Sequence, residues 1–485
     1  MHVRVAQGSR RIDVLQWPVI GTFLRWRHAR TAFQLVLLAL ALLVVLDGLL
    51  ASRVDPTNFA TTVTWVHYRG LLVVGLLAAG NLFCSGCPFV LVRDAGRRFV
   101  PPTLTFPRWL RTKWIAIALF AAVLFCYELF DLWALPRSTA WLVIGYFVCA
   151  LAVDVIFKGA TFCKYLCPIG QFNFVASTCS PLELRIKEPD TCRSCRTVDC
   201  IRGTRSATAP EVVLQRGCEL RLFLPSKVGN LDCTLCLDCV HACPHDNIAL
   251  AGRLPGAELA DPRRRSGIGR LAKRPDIAAL VVLFTFGSLM NALGMIAPVR
   301  GVEAWISQTF GFTSEAPVLA VLFGVVVILA PLLLIGGGAA ITKQLSGDRV
   351  RSVAQVAVNY VYALVPIGFG MWLSHYGFHL LTGALTIVPV TQRAALDLLA
   401  WPALGQPLWR LTGMRPGAVF PIQAGFILLG AMGSFAAAHQ ISERDYPNRV
   451  AAALVAWVAV IVVLAAAALW ILLQPMDMRG TGLLG

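Results

Sequence analysis

The sequence predicts a polytopic α-helical membrane protein interrupted by one polar, cysteine-rich segment, and three observations carry that expectation. Of 485 residues 57% are hydrophobic and only 14% charged, with a mean hydropathy of +0.68, so most of the chain must be solvated by lipid. Nine apolar runs are long enough to cross a bilayer core of about 30 Å. They lie near 31–50, 69–91, 114–134, 140–157, 277–297, 316–340, 353–375, 418–438 and 450–473, the seventh reaching toward 390. The longest polar interval, 158–275, holds eleven of the fifteen cysteines.

Taken in order, residues 1–30 carry Arg4, Arg10, Arg11, Arg25, Arg27 and Arg30 against the lone acid Asp13. The positive-inside rule therefore places this segment in the cytoplasm, as for a multi-pass protein of a prokaryotic inner membrane. Ser9-Arg10-Arg11-Ile12-Asp13 imitates a twin-arginine export signal, but no small-residue cleavage site follows the apolar run. Ile12 to Trp26 reads instead as an amphipathic stretch on the inner leaflet. Alternation makes the basic loops 92–113 and 341–352 cytoplasmic and puts 391–417, mildly basic, on the periplasmic side. The expected units are a four-span unit over 31–161, a cytoplasmic domain over 162–275 and a five-span unit over 276–485.

The net charge of +17 gathers at span ends without a basic stripe interleaved with aromatics, which points to anionic lipid and excludes a nucleic-acid surface. Gly480-x-Gly482-x2-Gly485 imitates a dinucleotide fingerprint with no strand before it, and no phosphate loop is present, so no nucleotide site is expected.

An internal repeat divides the first four spans. The first two end in "FCSGCPFVLV", Phe83 to Val92, and the next two in "FCKYLCPIGQF", Phe162 to Phe172. Each closes a helical hairpin with paired cysteines and a proline. Four thiols meeting at the inner face, Cys84, Cys87, Cys163 and Cys167, could bind a metal or exchange electrons as dithiols. The structural alternative is that a Cys-Pro step starts a helix, because proline at the first helical position gives up no needed hydrogen bond. Equivalent placement in a repeat favours a functional role. Cys126 and Cys149, mid-span, read as core residues.

A reducing cytoplasm argues against disulfides and for metal ligation. Cys233-x2-Cys236-x2-Cys239-x3-Cys243-Pro244 matches the bacterial [4Fe–4S] run, in which three thiolates grip one cubane and the fourth serves another. The second cluster then needs ligands elsewhere, and Cys192-x2-Cys195-x4-Cys200 with Cys218 supplies them. The crossed assignment puts Cys192, Cys195, Cys200 and Cys243 on one cluster and Cys218, Cys233, Cys236 and Cys239 on the other. Cys179 stands as a substitute ligand, because the first box departs from the standard run. Two structural zinc sites are the alternative, but zinc ribbons pair two C-x2-C knuckles and do not place a third cysteine after two residues.

Paired Cys-x2/3-Cys-Pro motifs followed by a two-cluster box resemble the membrane-bound polyferredoxin family over about residues 10–250. Its members include quinol-dehydrogenase subunits of periplasmic nitrate reductases, nitrous-oxide-respiration regulators and copper-oxidase assembly ferredoxins; a longer subgroup has extra C-terminal spans. The first pair here, Cys84-x2-Cys87-Pro88, departs from the family's Cys-x3-Cys-Pro. The resemblance implies a ferredoxin-like domain relaying electrons between the quinone pool or a cytoplasmic donor and respiratory oxidoreductase subunits or small redox carriers. An assembly factor that reduces a metal or thiol on a client enzyme is the alternative. Transport by the later spans lacks the paired broken helices that mark a substrate site.

His67, His375 and His379 fall near periplasmic span ends. They could ligate a haem b or line a quinol pocket, but the preferred expectation is headgroup-level polar residues. His439 reads as a cap, and His241 and His245 as tuning residues beside the cysteines. Among membrane-depth charges, Asp154 is expected to pair with Lys158, and Arg69 with Glu128 and Asp131.

Overall fold

An apolar run becomes one helix until glycine or proline interrupts it, and the interruptions place the cysteines. The computed structural model describes residues 12–51, 55–209 and 212–476. Arg4, Arg10, Arg11 and the glycines of 480–485 lie outside the described residues. Along the chain run α1 (Ala29–Leu50), α2 (Phe59–Ala79), α3 (Pro88–Phe99), α4 (Trp114–Leu129), α5 (Pro136–Ile156) and α6 (Pro168–Ala176). The polar segment holds β1 (Leu182–Ile186), β2 (Thr204–Arg205), β3 (Val213–Gln215), α7 (Asp238–Ala242) and β4 (Ile248–Gly252). Beyond it come α8 (Pro275–Leu293), α9 (Ala297–Phe310), α10 (Glu315–Ser346), α11 (Val353–Thr382), α12 (Ile387–Leu399), α13 (Pro416–Asp445) and α14 (Val450–Leu473).

Among the described residues eight helices are long and apolar enough to cross a membrane: α1, α2, α5, α8, α10, α11, α13 and α14. This is a multi-pass membrane architecture, with eight such helices where nine spans were expected. The ninth expected span is α4, of 16 residues; at 1.5 Å per residue it measures about 24 Å, short of a core of about 30 Å. It stops because the next residues form a turn in which Asp131 adopts a left-handed backbone, φ 43°.

The second span lies ten residues earlier than 69–91 implied. Its first half, Phe59–Tyr68, is rich in Thr, Trp and His and scores poorly as a lipid-facing run, but Trp65 and His67 are buried against protein. The helix ends at Gly80, φ 80°, where a Cβ would sit 2.9 Å from Leu235 Cδ1 in the cysteine loop. Cys84 and Cys87 therefore lie in a break, a four-residue helical turn Leu82–Ser85 followed by α3. The seventh run continues to Thr382 and then breaks, α12 being a separate helix.

α11 packs against α13, α8 and α2, and α8 against α4, so early and late helices share one buried core. α8 and α11 are mostly buried, whereas α1 and α5 turn most of their surface outward. Cys149 of α5 is exposed on that outward face, which corrects its reading as a core residue; Cys126 is half-buried.

The polar segment is clamped by its own ends. β1 pairs antiparallel with β4, from Leu182 opposite Gly252 to Ile186 opposite Ile248, with every cysteine from 192 to 243 between the two strands. Ile12 and Asp13 add to the free edge: Gly252 donates its N–H to the Ile12 carbonyl at 3.0 Å, and Leu250 donates to Asp13 Oδ1 at 3.2 Å. The start of the expected amphipathic stretch is thus sheet edge, because β4 offers it unpaired backbone groups; Trp17, Phe23 and Trp26 beyond it remain exposed.

Candidate metal centre

The cysteine loops owe their shape to backbone that side chains rarely adopt. Asp232, Leu235 and Leu237 all have positive φ (61°, 49° and 62°), alternating with Cys233, Cys236 and Cys239 so that the chain curls tightly round one point. Val198 (φ 54°) does the same between Cys195 and Cys200, and Asp246 (φ 45°) beyond Cys243. Strain of this kind costs on the order of 1–3 kcal/mol per residue and persists only where surroundings over-determine it. Here a buried ion network does so. Glu258 accepts from Arg253 and Arg265 at 2.8 Å each, and takes the N–H of Asn230 at 2.7 Å, fixing the approach to Cys233.

Cys192, Cys195, Cys200 and Cys243 line one small cavity together with Pro244, His245 and Asn247. Asn247 ties two of them, its backbone N–H reaching Cys243 Sγ at 3.4 Å and its Nδ2 reaching Cys192 Sγ at 3.3 Å. Burial pushes the Cys200 thiol up to about 11, and Cys243, Cys192 and Cys195 are near enough to add to it.

Cys218, Cys233, Cys236 and Cys239 form the second set, deeper in the molecule. Burial, then Cys218 and Cys233, pushes the Cys239 thiol well up; Cys218 Sγ accepts the Leu222 N–H at 3.4 Å. The sets adjoin: Cys218 donates its N–H to the Cys200 carbonyl at 2.8 Å, and α7 carries Cys239 and leads directly into Cys243. Cys179, buried in the helical turn just before β1, lines neither this cavity nor the large one described next. Among the described residues no three Cys, His, Asp or Glu side chains stand at the spacing of a single-ion site.

The Cys-Pro segments reach the second set. Asn81 donates from Nδ2 to the Cys233 carbonyl at 3.1 Å. Lys113 Nζ bridges the Lys164 carbonyl and Asp232 Oδ1, both at 2.7 Å, while Lys164 Nζ donates to the Leu220 carbonyl at 2.7 Å. A largely apolar cavity of about 260 Å³ runs between helices from Arg69 to the thiols, touching Cys84, Cys87, Cys163, Cys167, Cys218 and Cys236.

Several charges missed by sequence spacing hold this junction. Asp154 does not pair with Lys158: α5 ends at Ile156, so the helical four-residue register is lost, and Asp154 instead accepts the Phe162 N–H at 2.9 Å and faces Arg93 at 3.5 Å. Arg93 also donates to both oxygens of Glu219 at 2.9 and 2.8 Å. Arg69 is held by aromatics, stacking over Trp65, Tyr127 and Tyr376 at 4.6–4.9 Å and donating to Tyr127 Oη at 3.0 Å; Glu128 takes Asn291 Nδ2 at 3.0 Å. His67 and His375 are buried and His379 is half-buried. His67 is buried on Thr386 Oγ1 at 3.2 Å. His375 and His379 sit one turn apart on α11 with ring centres 5.0 Å apart, on one helix face and so not on opposite sides of a haem.

Glu219 predicts an acid response. Burial alone would raise its carboxyl, but Arg93 and then Arg30 overcome this and hold it at about 2. A depressed folded-state pKa contributes stability that is complete above the ordinary value near 4.5 and is lost as pH falls toward about 2. Asp238, raised by burial, contributes in the opposite sense. The wild type minus Glu219→Gln difference isolates the effect: detergent-solubilised wild type should lose its advantage in thermal midpoint progressively as pH falls from about 4.5 to about 2, and a difference independent of pH would refute the pairing.

A multi-pass membrane protein bearing a thiol-rich, sheet-clamped segment at one end of its helix bundle is the class these elements define. No family model and no solved structure matches the chain. Among curated proteins it is similar to the one named "Putative electron transport protein YccM" of Escherichia coli (strain K12), 26% identical over 45% of this chain and 74% of the relative.

Proposed function

We propose that this chain is a membrane-bound electron-transfer protein whose two cysteine sets hold two [4Fe–4S] clusters, exchanging electrons between the quinone pool or a cytoplasmic donor and a respiratory partner. In this reading the cysteine segment faces the cytoplasm. The observation that carries it is the clustering of Cys192, Cys195, Cys200 and Cys243 around one cavity, although Cys243 belongs in sequence to the other box. The name of the Escherichia coli relative supports the same reading at the level of electron transport.

The donor set fits the group. Thiolates are the usual cluster ligands, and the left-handed residues beside the cysteines turn peptide N–H groups toward the sulfurs. Bound at these sites, iron–sulfur clusters supply one-electron chemistry at potentials set by hydrogen bonding and exposure. The chain's own part is to hold the eight thiolates, donate N–H bonds to sulfur and keep water from the deeper set, where Cys233 and Cys239 are buried. The large cavity, apolar with Arg69, Tyr127 and Tyr376 at its far end, suits a quinone ring, whose carbonyl the phenol or guanidinium could orient.

The test is iron and acid-labile sulfide per chain on anaerobically purified protein, with EPR before and after dithionite and after quinol. At least about eight irons and reduction by quinol are expected. Zinc in place of iron would overturn the redox reading.

A further inference from the structure

Two Cys-Pro pairs remain outside the eight cysteines, and the fold brings them together. Cys84 and Cys87 come from the break after α2. Cys163 lies in a wide helical turn, Phe162–Leu166, and Cys167 follows it, yet all four residues line the same cavity. Cys87 caps α3 and Cys167 caps α6, helices of 12 and 9 residues, so two helix N-termini open onto one place and favour negative charge there.

Two hydrogen bonds already reach sulfur. Gly170 donates its N–H to Cys167 Sγ at 3.2 Å, and Asn173 donates from Nδ2 to Cys84 Sγ at 3.3 Å, joining the second hairpin to a thiol of the first. Asn173 is 1% exposed, lines the cavity, and its Oδ1 has no hydrogen-bond partner, an unusual state for a buried polar atom. Arg30 and Arg93 also line this cavity.

We propose that Cys84, Cys87, Cys163 and Cys167 hold a third iron–sulfur cluster at the membrane end of the protein. Four thiolates on one tetrahedral ion would stand about 3.8 Å apart, and no group of three or more Cys, His, Asp or Glu side chains among the described residues is placed to hold a single metal ion; a cluster spreads its ligands over several irons. The cations and helix N-termini offset the charge of four thiolates. Asn81 connects the site to the second set, accepting the Cys84 N–H at 3.4 Å while donating to the Cys233 carbonyl. The three thiol groups then form a row from the exposed end of the polar segment to the cavity between the helices. The purpose of the third group rests on the electron-transfer reading, but its ligands are separate from the eight.

The experiment compares full-length wild type, Cys87→Ser/Cys167→Ser and Cys192→Ala/Cys233→Ala, all purified anaerobically, for iron and sulfide per chain and for EPR after dithionite. The Cys87→Ser/Cys167→Ser variant should lose about two to four irons while keeping the spectra of the other clusters. Unchanged iron in that variant overturns the proposal. Iron lost from the Cys-Pro variant but absent from the polar segment upholds it and sinks the two-cluster reading; the reverse does the opposite. Size-exclusion elution against a Cys126→Ser control reports folding. Should the double variant not fold, alkylation of the wild type decides: the four cysteines labelled only after iron chelation supports the cluster, and no change on chelation refutes it.

Discussion

Replacing Arg93 with leucine is expected to remove about 3–5 kcal/mol of stability and to leave little folded protein in a membrane extract. The Arg93 side chain is 1% exposed and serves three carboxylates, Asp94 at 2.7 Å, Glu219 at 2.8 Å and Asp154 at 3.5 Å. Asp154 is itself 1% exposed and belongs to α5, whereas Glu219 follows Cys218 in the polar segment. The guanidinium therefore ties the membrane helices to the second cysteine set. Removing it strands buried negative charge on both sides, and an unpaired buried charge costs more than the pair contributes. Thermal unfolding in detergent measures the loss. Adding Asp154→Asn and Glu219→Gln should restore part of it, since neutral groups no longer need the cation; a leucine variant as stable as wild type would show that the cluster of charges is solvated.

This tie was illegible in the sequence because its partners lie 61 and 126 residues from Arg93, and no local pattern announces such pairs. What could be read were features that are local. Apolar length placed most spans, and cysteine spacing named the thiols without reference to any contact. Errors came where neighbours, not lipid, solvate the chain. Phe59–Tyr68 folds as the first half of a span because Trp65 donates to Thr139 and His67 packs on Thr386, neither of which hydropathy registers. Asp154 was matched with Lys158 on a helix that ends first. Asn173, which joins the two Cys-Pro hairpins, carries no sequence signal beyond lying six residues after Cys167.

Serine at Cys239 and serine at Cys243 should produce opposite defects, although Cys239 lies in the five-residue helix α7 and Cys243 directly follows it. Cys243 shares its cavity with Cys192, Cys195 and Cys200, so Cys243→Ser should resemble Cys192→Ser, with about four irons lost and the signal of the more exposed cluster removed. Cys239→Ser should resemble Cys218→Ser and remove the signal of the buried cluster. Quinol-dependent reduction of an acceptor should fall to background in all four, because each interrupts the row. The backbone suits the expected crossing: Asp232, Leu235 and Leu237, all at positive φ, curl the chain through Cys233, Cys236 and Cys239, whereas the chain leaves α7 extended at Cys243. Three sulfurs of the box would thereby stay together and the fourth go to the neighbouring set, and the Cys218 N–H bond to the Cys200 carbonyl holds the sets side by side. EPR and iron counts decide the matter: if Cys243→Ser instead matched Cys239→Ser, and Cys218→Ser matched Cys192→Ser, the four cysteines of the C-terminal box would serve one cluster and the grouping around the cavity would have no part in ligation.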